Sequence, residues 1–365
     1  MKKCKVKNIA FVSLVLFCAA LFSSCQDVIY ANIRKEVKLR GASIEADIRS
    51  IIRYKDDYYC ANGNIYHKAK DDTRVGCWSK TPSPSGHVLK LASDSTNIYA
   101  LVGISREDYS EGENVPVRRE LWFSSDGSNW SKVAGVYGAG VIPYNSGGRI
   151  ETYLFGTNAI ASANRHAYFI VRGGDAGYKA YELNGEAATE LGLSANNADT
   201  KPVVNSSKVS QSCVYDGSVV RFFNSTGSCT NETNSAAPTI YYYGDGSTLR
   251  WGGAKEGSVG AYASVYSLAC TADYILVGTT SGITHHLLTD GVPGSSLNEF
   301  QTNAEATLSA QYTILAILVV SPELNELGTI IYASQNYTGS GSNSAQFNHI
   351  CMWSYYPSTH EWNRE

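Results

Sequence analysis

The stretch Glu120-Leu-Trp-Phe-Ser-Ser-Asp-Gly-Ser-Asn-Trp130 contains the pattern that decides the fold. Its aromatic and aliphatic residues predict a strand before Asp126-Gly127 and the start of a second strand at Trp130. An Asp-Gly pair is a strong hairpin signal because both central residues of a type I′ turn need φ > 0. Residues 241–251 repeat this order with their own Asp-Gly turn, and residues 351–362 repeat it with a different turn. The recurrence predicts a structural unit that ends in a hairpin followed by tryptophan.

Strand-like runs precede each copy of this hairpin, so each unit contains four consecutive strands. In one unit the runs cover residues 88–92, 97–103, 120–125 and 129–133, and a later unit ends with a run at residues 248–252. The units begin near six residues: Arg49, Val88, Glu151, Val209, Ser264 and Ile314. Four antiparallel strands repeated along a chain are typical of the blades of a β-propeller. We therefore predict an all-β domain over residues 45–365, a β-propeller of six four-stranded blades.

Two alternatives to this architecture stay open. Residues 35–40 are a further strand candidate, which would close the ring or begin a seventh blade. A pair of β-sandwiches would also be built from many short strands. The regular spacing of the turn and its tryptophan favours the propeller, because a sandwich does not require that spacing.

The composition agrees with a β-rich domain. The 365 residues include 33 glycines and 25 tyrosines, and charged residues make up 17%, below the ~25% typical of globular proteins. Tyrosine favours strands, and glycine favours turns. The net charge is −3 and the sequence has no run of basic residues after its first positions, so nucleic acid is not an expected partner.

The N-terminal segment predicts export. Lysines at positions 2, 3, 5 and 7 precede an apolar run over residues 9–22, which ends at Ser23-Ser24-Cys25. This layout is typical of a bacterial secretion signal, and the run is shorter than the ~20 apolar residues of a membrane-spanning helix. We predict a signal peptide over residues 1–24 and a tether over residues 25–44, which includes the candidate closing strand.

The cysteine that follows the two serines predicts a lipid anchor. Ser23-Ser24-Cys25 resembles a lipobox, in which the cysteine thiol is acylated and becomes the new N-terminus. Acylation of Cys25, with palmitate as one of the chains, would make the lipid bilayer a partner and place the protein in the bacterial cell envelope, with the outer membrane as the expected membrane. The alternative is a plain secretory peptide cut near Ser23 or Ser24, with Cys25 an ordinary thiol.

Six cysteines follow Cys25, and an even number in an exported chain permits disulfides. Two local pairs, Cys60 with Cys77 and Cys213 with Cys229, would each close a short loop within one predicted sheet. The alternative is buried free cysteines in strands. No Cys-x-x-Cys pair occurs, so the sequence predicts no structural zinc site and no other metal.

The segment Ser125-Asp126-Gly127-Ser128-Asn129-Trp130 resembles the Asp-box hairpin of sialidase-like propellers. The resemblance implies that Asp126 accepts backbone hydrogen bonds on a turn between outer strands and that Trp130 packs between blades, with Gly127 in the turn. Asp245, Gly246 and Trp251 match the same box less closely. The family's box is structural, so the resemblance does not imply an enzyme.

The sequence predicts no catalytic residues and no cofactor. Sialidases also need an arginine cluster, a Tyr–Glu pair and an acidic aspartate, and their arginine commonly precedes Ile-Pro, whereas Val141 precedes Ile-Pro here. No phosphate-binding loop, nucleophile elbow or nucleotide fingerprint is present in the sequence. A sialidase-like glycan-active enzyme is therefore kept only as an alternative.

Polar insertions are the sequence feature that points to binding. Residues 108–117, 224–238 and 336–346 are rich in Gly, Ser, Asn and Thr, and each falls between the second and third strands of a unit. These loops should therefore emerge at one rim of the predicted propeller, and loops on a rigid scaffold commonly carry binding sites. The alternative is that the loops are tolerated insertions.

An exported propeller lipoprotein of this kind resembles the treponemal surface lipoproteins that bind host extracellular matrix. The resemblance covers the signal and the repeat pattern, and it implies a membrane-anchored binding module, an adhesin for a host matrix protein. The alternative partner is an envelope protein, with the chain acting as a periplasmic assembly scaffold. Location is the strongest functional prediction that the sequence allows.

Overall fold

The computed structural model describes the part of the chain given by the following ranges: residues 43–44, 48–94, 96–104, 118–137, 140–142, 151–156, 166–172, 178–191, 213–215, 219–223, 239–244, 255–258, 265–270, 274–279, 282–289, 292–297, 312–320, 330–337, 351–356 and 361–365. This part contains strands and no helix, and its strands form six antiparallel sheets. The prediction of an all-β protein built from four-stranded units is therefore confirmed.

The first three sheets follow one another along the chain. Sheet 1 contains β1 (Ser50–Tyr54), β2 (Asp57–Asn62), β3 (Asn64–Lys68) and β4 (Ser79–Thr81). Sheet 2 contains β5 (His87–Ser93), β6 (Ile98–Ile104), β7 (Arg118–Ser124) and β8 (Ser131–Lys132), and β9 (Val141–Ile142) also pairs with β7. Sheet 3 contains β10 (Glu151–Gly156), β11 (Ala167–Arg172), β12 (Tyr178–Asn184) and β13 (Ala187–Leu191).

The other three sheets repeat this order. Sheet 4 contains β14 (Cys213–Tyr215), β15 (Val219–Phe223), β16 (Thr239–Gly244) and β17 (Lys255–Ser258). Sheet 5 contains β18 (Val265–Cys270), β19 (Tyr274–Thr279), β20 (Gly282–Thr289) and β21 (Val292–Leu297). Sheet 6 contains β22 (Tyr312–Val320), β23 (Ile330–Tyr337), β24 (Met352–Tyr356) and β25 (Glu361–Arg364).

The position of one predicted strand needs correction. The fourth strand of the fourth unit was expected at residues 248–252, a run that includes Trp251, whereas the strand that pairs with β16 is β17 at Lys255–Ser258. Tyr241 pairs with Lys255, so the connection between β16 and β17 is longer than the tight Asp-Gly hairpin that the prediction assumed.

Strand β6 shows why these sequences form sheets buried on both faces. Successive side chains of a strand point to opposite faces. Tyr99 and Leu101 therefore lie in the core between sheets 2 and 3, whereas Ile98, Ala100 and Val102 lie in the core between sheets 1 and 2. Each large apolar side chain buried in this way contributes about 1.5–3 kcal/mol of transfer free energy. The unbroken apolar run thus requires a neighbouring sheet on each side.

Five pairs of sheets, 1 and 2, 2 and 3, 4 and 5, 5 and 6, and 6 and 1, contact each other through their first strands. Strand β1 contacts both β5 and β22, β5 also contacts β10, and β18 contacts both β14 and β22. Apolar cores fill the spaces between sheets 1 and 2, 2 and 3, 5 and 6, and 6 and 1. The first and last sheets along the chain are therefore packed against each other.

A buried ion pair lies where sheet 6 meets sheet 1. The Lys68 ammonium lies 3.2 and 3.1 Å from the two carboxylate oxygens of Glu365. Oε2 of Glu365 also accepts hydrogen bonds from Trp78 Nε1 at 3.1 Å and from the backbone N–H of Gly76 at 3.0 Å. The Glu365 N–H donates to the carbonyl of Met352 at 2.9 Å, which ties the residue to β24. We call these groups the Glu365 cage.

Several predicted features lie outside the described residues: Cys25 and the signal peptide, the segment 35–40, the loops 108–117 and 224–238, and residues 338–346. Within the described part, no helix has the length and hydropathy needed to cross a membrane.

Candidate functional site

A cleft of about 720 Å³ lies between sheets 1 and 2. It opens at the end of the two sheets where β2 turns into β3, β5 begins, β6 ends and β7 begins. We call it the sheet 1–2 cleft, and it is lined by Asn62, Gly63, Asn64, Ser85, Gly86, His87, Gly103, Ile104, Arg118, Glu120 and Lys132. Ile104 and Arg118 flank residues 105–117, which include the first of the three polar insertions noted in the sequence.

Two glycines of the cleft lining occupy positions where a side chain would not fit. Gly63, in the β2–β3 turn, has φ +68°, and a Cβ there would lie 2.8 Å from Cε1 of His87. Gly86 has φ +113°, and a Cβ there would lie 2.7 Å from side-chain atoms of Ile104 and Val102. A side chain at either position would require both a strained backbone and a shifted neighbour. Both positions therefore favour glycine, and the backbone N–H and carbonyl of Gly63 pair with the backbone of Val88.

Glu120 is the most deeply buried polar residue of the cleft lining. Its residue is only 2% exposed, and its two carboxylate oxygens accept from different partners. Oε1 lies 3.1 Å from Nη2 of Arg118 and 3.1 Å from Nζ of Lys132. Oε2 accepts a 3.1 Å hydrogen bond from Nε1 of Trp122. A buried carboxylate needs such partners, because an unpaired charge away from water is costly.

The two cations paired with Glu120 remain open to solvent. The Arg118 side chain is 51% exposed, and that of Lys132 is 36% exposed. The Lys132 ammonium also lies 5.3 Å from the centre of the Trp122 ring, within cation–π distance. The carboxylate and the indole together orient two positive groups that both line the cleft. Two cations and one carboxylate leave an excess of one positive formal charge.

This group of residues was not predicted from the sequence. Arg118 and Lys132 were not singled out, and Glu120 was noted only as the start of a strand. The available signal is the spacing on β7: Arg118, Glu120 and Trp122 are two residues apart in turn, so they share one face of the strand. Lys132 pairs with Trp122 across β7 and β8, which places it beside them.

The Asp126 turn lies at the β7–β8 hairpin of sheet 2. One carboxylate oxygen of Asp126 accepts from the backbone N–H groups of Ser128 at 2.8 Å and Asn129 at 2.7 Å. Hydrogen bonds from Asn129, then from Ser128 and Ser124, hold the pKa of Asp126 well below its usual range. Gly127 has φ +77°, a conformation that glycine adopts without strain. The sequence did not indicate a role for Ser124. Its hydroxyl donates a hydrogen bond to the Asp126 carboxylate and accepts one from the Gly127 N–H.

Trp130 connects this turn to sheet 1. Its ring packs against the apolar core between sheets 1 and 2, and its Nε1 donates a 3.0 Å hydrogen bond to the carbonyl of Pro82. From the other side, Lys55 donates a 3.0 Å hydrogen bond to the carbonyl of Ser125. The turn therefore fixes sheet 2 against sheet 1, while the cleft lies elsewhere between the same two sheets. Asp245, Gly246 and Trp251 lie outside the described residues.

The suggested Cys60–Cys77 disulfide is not formed. Both cysteines are free thiols in the structure. Cys60 is fully buried in the core between sheets 6 and 1, whereas Cys77 is half-buried in the connection between β3 and β4. Burial, and to a lesser extent the nearby Glu365 carboxylate, raise the pKa of the Cys60 thiol. In the other suggested pair, Cys213 lies on β14, and Cys229 lies outside the described residues.

Metal binding has no support in the described part of the chain, where no group of three or more His, Cys, Asp or Glu residues is arranged to hold an ion. The cleft itself offers charge and hydrogen-bonding groups, through the Arg118 and Lys132 cations and the amide groups of Asn62 and Asn64.

Comparisons with known proteins bear on the fold alone. No protein-family model matches the chain, and a search of curated proteins found no relative. The chain is similar to the crystal structure of the tricorn protease, with a TM-score of 0.50 and 10% sequence identity over 88% of this chain. The match covers 26% of the tricorn protease chain, so this chain spans about a quarter of that protein's length. Tricorn protease has a β-propeller domain, which agrees with the all-β fold seen here.

A second solved structure, the computationally designed Ika8 protein, is 11% identical, with a TM-score of 0.37. That match covers 89% of this chain and 74% of the designed chain. A score this low supports no argument about fold or function.

Proposed function

We propose that this chain is a membrane-anchored, exported binding module that acts as an adhesin for a host matrix protein, with the sheet 1–2 cleft as its binding site. The observation that carries the proposal is the pair of solvent-exposed cations held in place by the buried Glu120 carboxylate. Fixed polar groups in a concave site favour recognition because little conformational freedom is lost on binding.

The sequence supports the location in this proposal. The lysine-rich start, the apolar run over residues 9–22 and the Ser-Ser-Cys25 ending are the features of an exported lipoprotein. Two acyl chains on one cysteine suffice for a stable anchor. Labelled palmitate should enter the wild-type chain and not the Cys25→Ala variant, which should leave the membrane fraction. Equal labelling of the two proteins would contradict the anchor.

We also propose that the six sheets close into a six-bladed propeller. The contact between β1 and β22, the first strands of sheets 1 and 6, supports closure, as do the apolar cores between neighbouring sheets. An experimental structure of the full chain in detergent would test this proposal. A pair of separate β-sandwiches would overturn it.

Matrix binding can be tested by filling the cleft. Ser85 is an exposed residue of the cleft wall, so Ser85→Trp adds bulk there without removing a charge. Ser128→Trp is the matched control, because Ser128 is exposed on the Asp126 turn and is not part of the cleft lining. The full chain in detergent should bind immobilised fibronectin or laminin, Ser85→Trp should lose that binding, and Ser128→Trp should keep it.

Two results would redirect the proposal. Binding no stronger than that of an unrelated lipoprotein would contradict the adhesin function. Protection of the chain from protease added to intact cells would favour the periplasmic assembly scaffold. The sialidase-like enzyme stays the alternative, and turnover in a screen of fluorogenic glycosides would support it.

A further inference from the structure

We propose that the sheet 1–2 cleft binds a small saccharide that carries a carboxylate, and that Arg118 and Lys132 together bind this carboxylate. The inference rests on the proposed function as a binding module and specifies the ligand class of the same cleft. Its evidence is the charge, the hydrogen-bonding groups and the size of the cleft.

The charge of the cleft fits a ligand with one negative group. Arg118 and Lys132 each lie 3.1 Å from the same oxygen of Glu120, so their charged ends converge. A guanidinium has five N–H donors and an ammonium has three, so each cation has donors beyond the one directed at Glu120. A ligand carboxylate can accept from both cations in charge-assisted hydrogen bonds. Because the local excess is one formal charge, the cleft suits a monoanion better than a polyanion.

Glu120 is what makes the two cations a defined site. A lysine and an arginine on an open surface sample many rotamers, and ordering them for a ligand costs entropy. Here the Glu120 carboxylate holds both cations, and the Trp122 ring lies 5.3 Å from the Lys132 ammonium. Glu120 itself is nearly inaccessible, at 2% exposure, so it does not occupy the space of the cleft.

The remaining lining suits hydroxyl groups. Asn62 and Asn64 supply amide donors and acceptors, and Ser85 supplies a hydroxyl. A ring with several hydroxyls can pair with such a mixture of donors and acceptors. The cleft volume of about 720 Å³ accommodates a small saccharide.

The test compares two sugars that differ at one group, a carboxylate in glucuronate and a hydroxymethyl group in glucose. Calorimetric titration of the full chain in detergent should show saturable binding of glucuronate and more than about tenfold weaker binding of glucose, because glucose loses the contacts to both cations and about tenfold is typical of losing one. Added salt should weaken glucuronate binding, because exposed charges are screened. Equal affinity for the two sugars would overturn the inference, and so would equally tight binding of acetate or inorganic sulfate.

Variants locate the ligand in the cleft. Arg118→Gln and Lys132→Gln should each lower the affinity for glucuronate by about tenfold. Arg74→Gln removes the same charge from an exposed arginine that pairs with Asp72 and is not part of the cleft lining, so it should change nothing. Thermal unfolding of each variant verifies that it is folded. An effect of Arg74→Gln as large as that of Arg118→Gln would overturn the inference.

The two proposals fail in different ways. If the full chain binds matrix protein, Ser85→Trp abolishes that binding and glucuronate is not bound, the ligand class is wrong and the binding module stands. If the chain binds neither the matrix proteins nor glucuronate, both proposals are wrong.

Discussion

Two glutamates of this protein, Glu120 and Glu365, are almost completely buried but differ in what surrounds them. In the Glu365 cage the partner is Lys68, whose side chain is 1% exposed, so cation and carboxylate are both withdrawn from water. In the sheet 1–2 cleft only the carboxylate is withdrawn, and Arg118 and Lys132 stay exposed to solvent. The first arrangement joins two sheets. The second leaves two cations exposed in the cleft, where we propose that a ligand binds.

The difference has an energetic consequence. Removing one partner of a fully buried pair leaves a charge without compensation, whereas removing an exposed partner lets water take its place. The two sites should therefore respond very differently to loss of their cations.

The largest effect is expected from Lys68→Met. Glu365 would remain buried with only Trp78 and the Gly76 N–H as partners, and breaking such a pair typically costs about 3–5 kcal/mol. Urea unfolding of the wild type and the variant measures this loss. Lys70→Met is the control, because Lys70 is 50% exposed and its nearest carboxylate, Asp56, lies 3.9 Å away. Equal stability of the two variants would contradict a closed cage.

A second substitution should partly reverse that loss. In Lys68→Met combined with Glu365→Gln, the buried charge is gone and the amide oxygen can still accept from Trp78 and Gly76. We expect the double variant to regain about 1–3 kcal/mol relative to Lys68→Met alone, the range of coupling energies between contacting residues. A double variant no more stable than the single one would show that packing, and not charge, accounts for the loss.

Asp126 is a third carboxylate to compare, because it is exposed and its contribution to stability should depend on pH. Hydrogen bonds to its carboxylate lower its pKa in the folded state. A lowered folded pKa stabilises the protein above the unfolded value, about 3.9, and this stabilisation is lost as the pH falls below that value. The melting temperature of Asp126→Asn should therefore lie below that of the wild type at pH 7, and the gap should narrow towards pH 3. A gap that is constant with pH would contradict this role.

The smallest effects on stability are expected at the cleft. Arg118→Gln and Lys132→Gln should each cost about 0–1 kcal/mol, the range of exposed ion pairs, because Glu120 keeps one cation and the Trp122 N–H. Urea unfolding measures both variants. If either variant lost as much free energy of unfolding as Lys68→Met, the cleft cations would have a structural role. The proposed difference between Glu120 and Glu365 would then be wrong.

Local sequence patterns predicted the repeat because strand pairing is sequential here. Each sheet consists of consecutive strands, so hairpin signals such as Asp126-Gly127 and the apolar runs around them mark its members directly. The predicted position of β17 was wrong, because the connection after β16 is long and the strand was placed at residues 248–252, around Trp251. The closed ring stays a prediction.

The cleft could not be predicted in the same way because it depends on long-range packing. Asn62 and Asn64 come from sheet 1, whereas Arg118 and Lys132 come from sheet 2, and no local pattern indicates that these segments meet. The burial of Glu120 could not be predicted from the sequence either. Three consecutive charged residues, Arg-Arg-Glu at positions 118–120, are typical of a solvent-exposed strand end. The same limit applies to Lys68 and Glu365, which are 297 residues apart.

That separation has a consequence for how the chain folds. The strands within each sheet are neighbours in sequence and can pair early, whereas joining sheet 6 to sheet 1 closes a loop of nearly the whole domain. Two charges must also lose their water at that moment. The seam between these sheets is therefore expected to form late, and in the native protein its amide protons should exchange with solvent before those of β6.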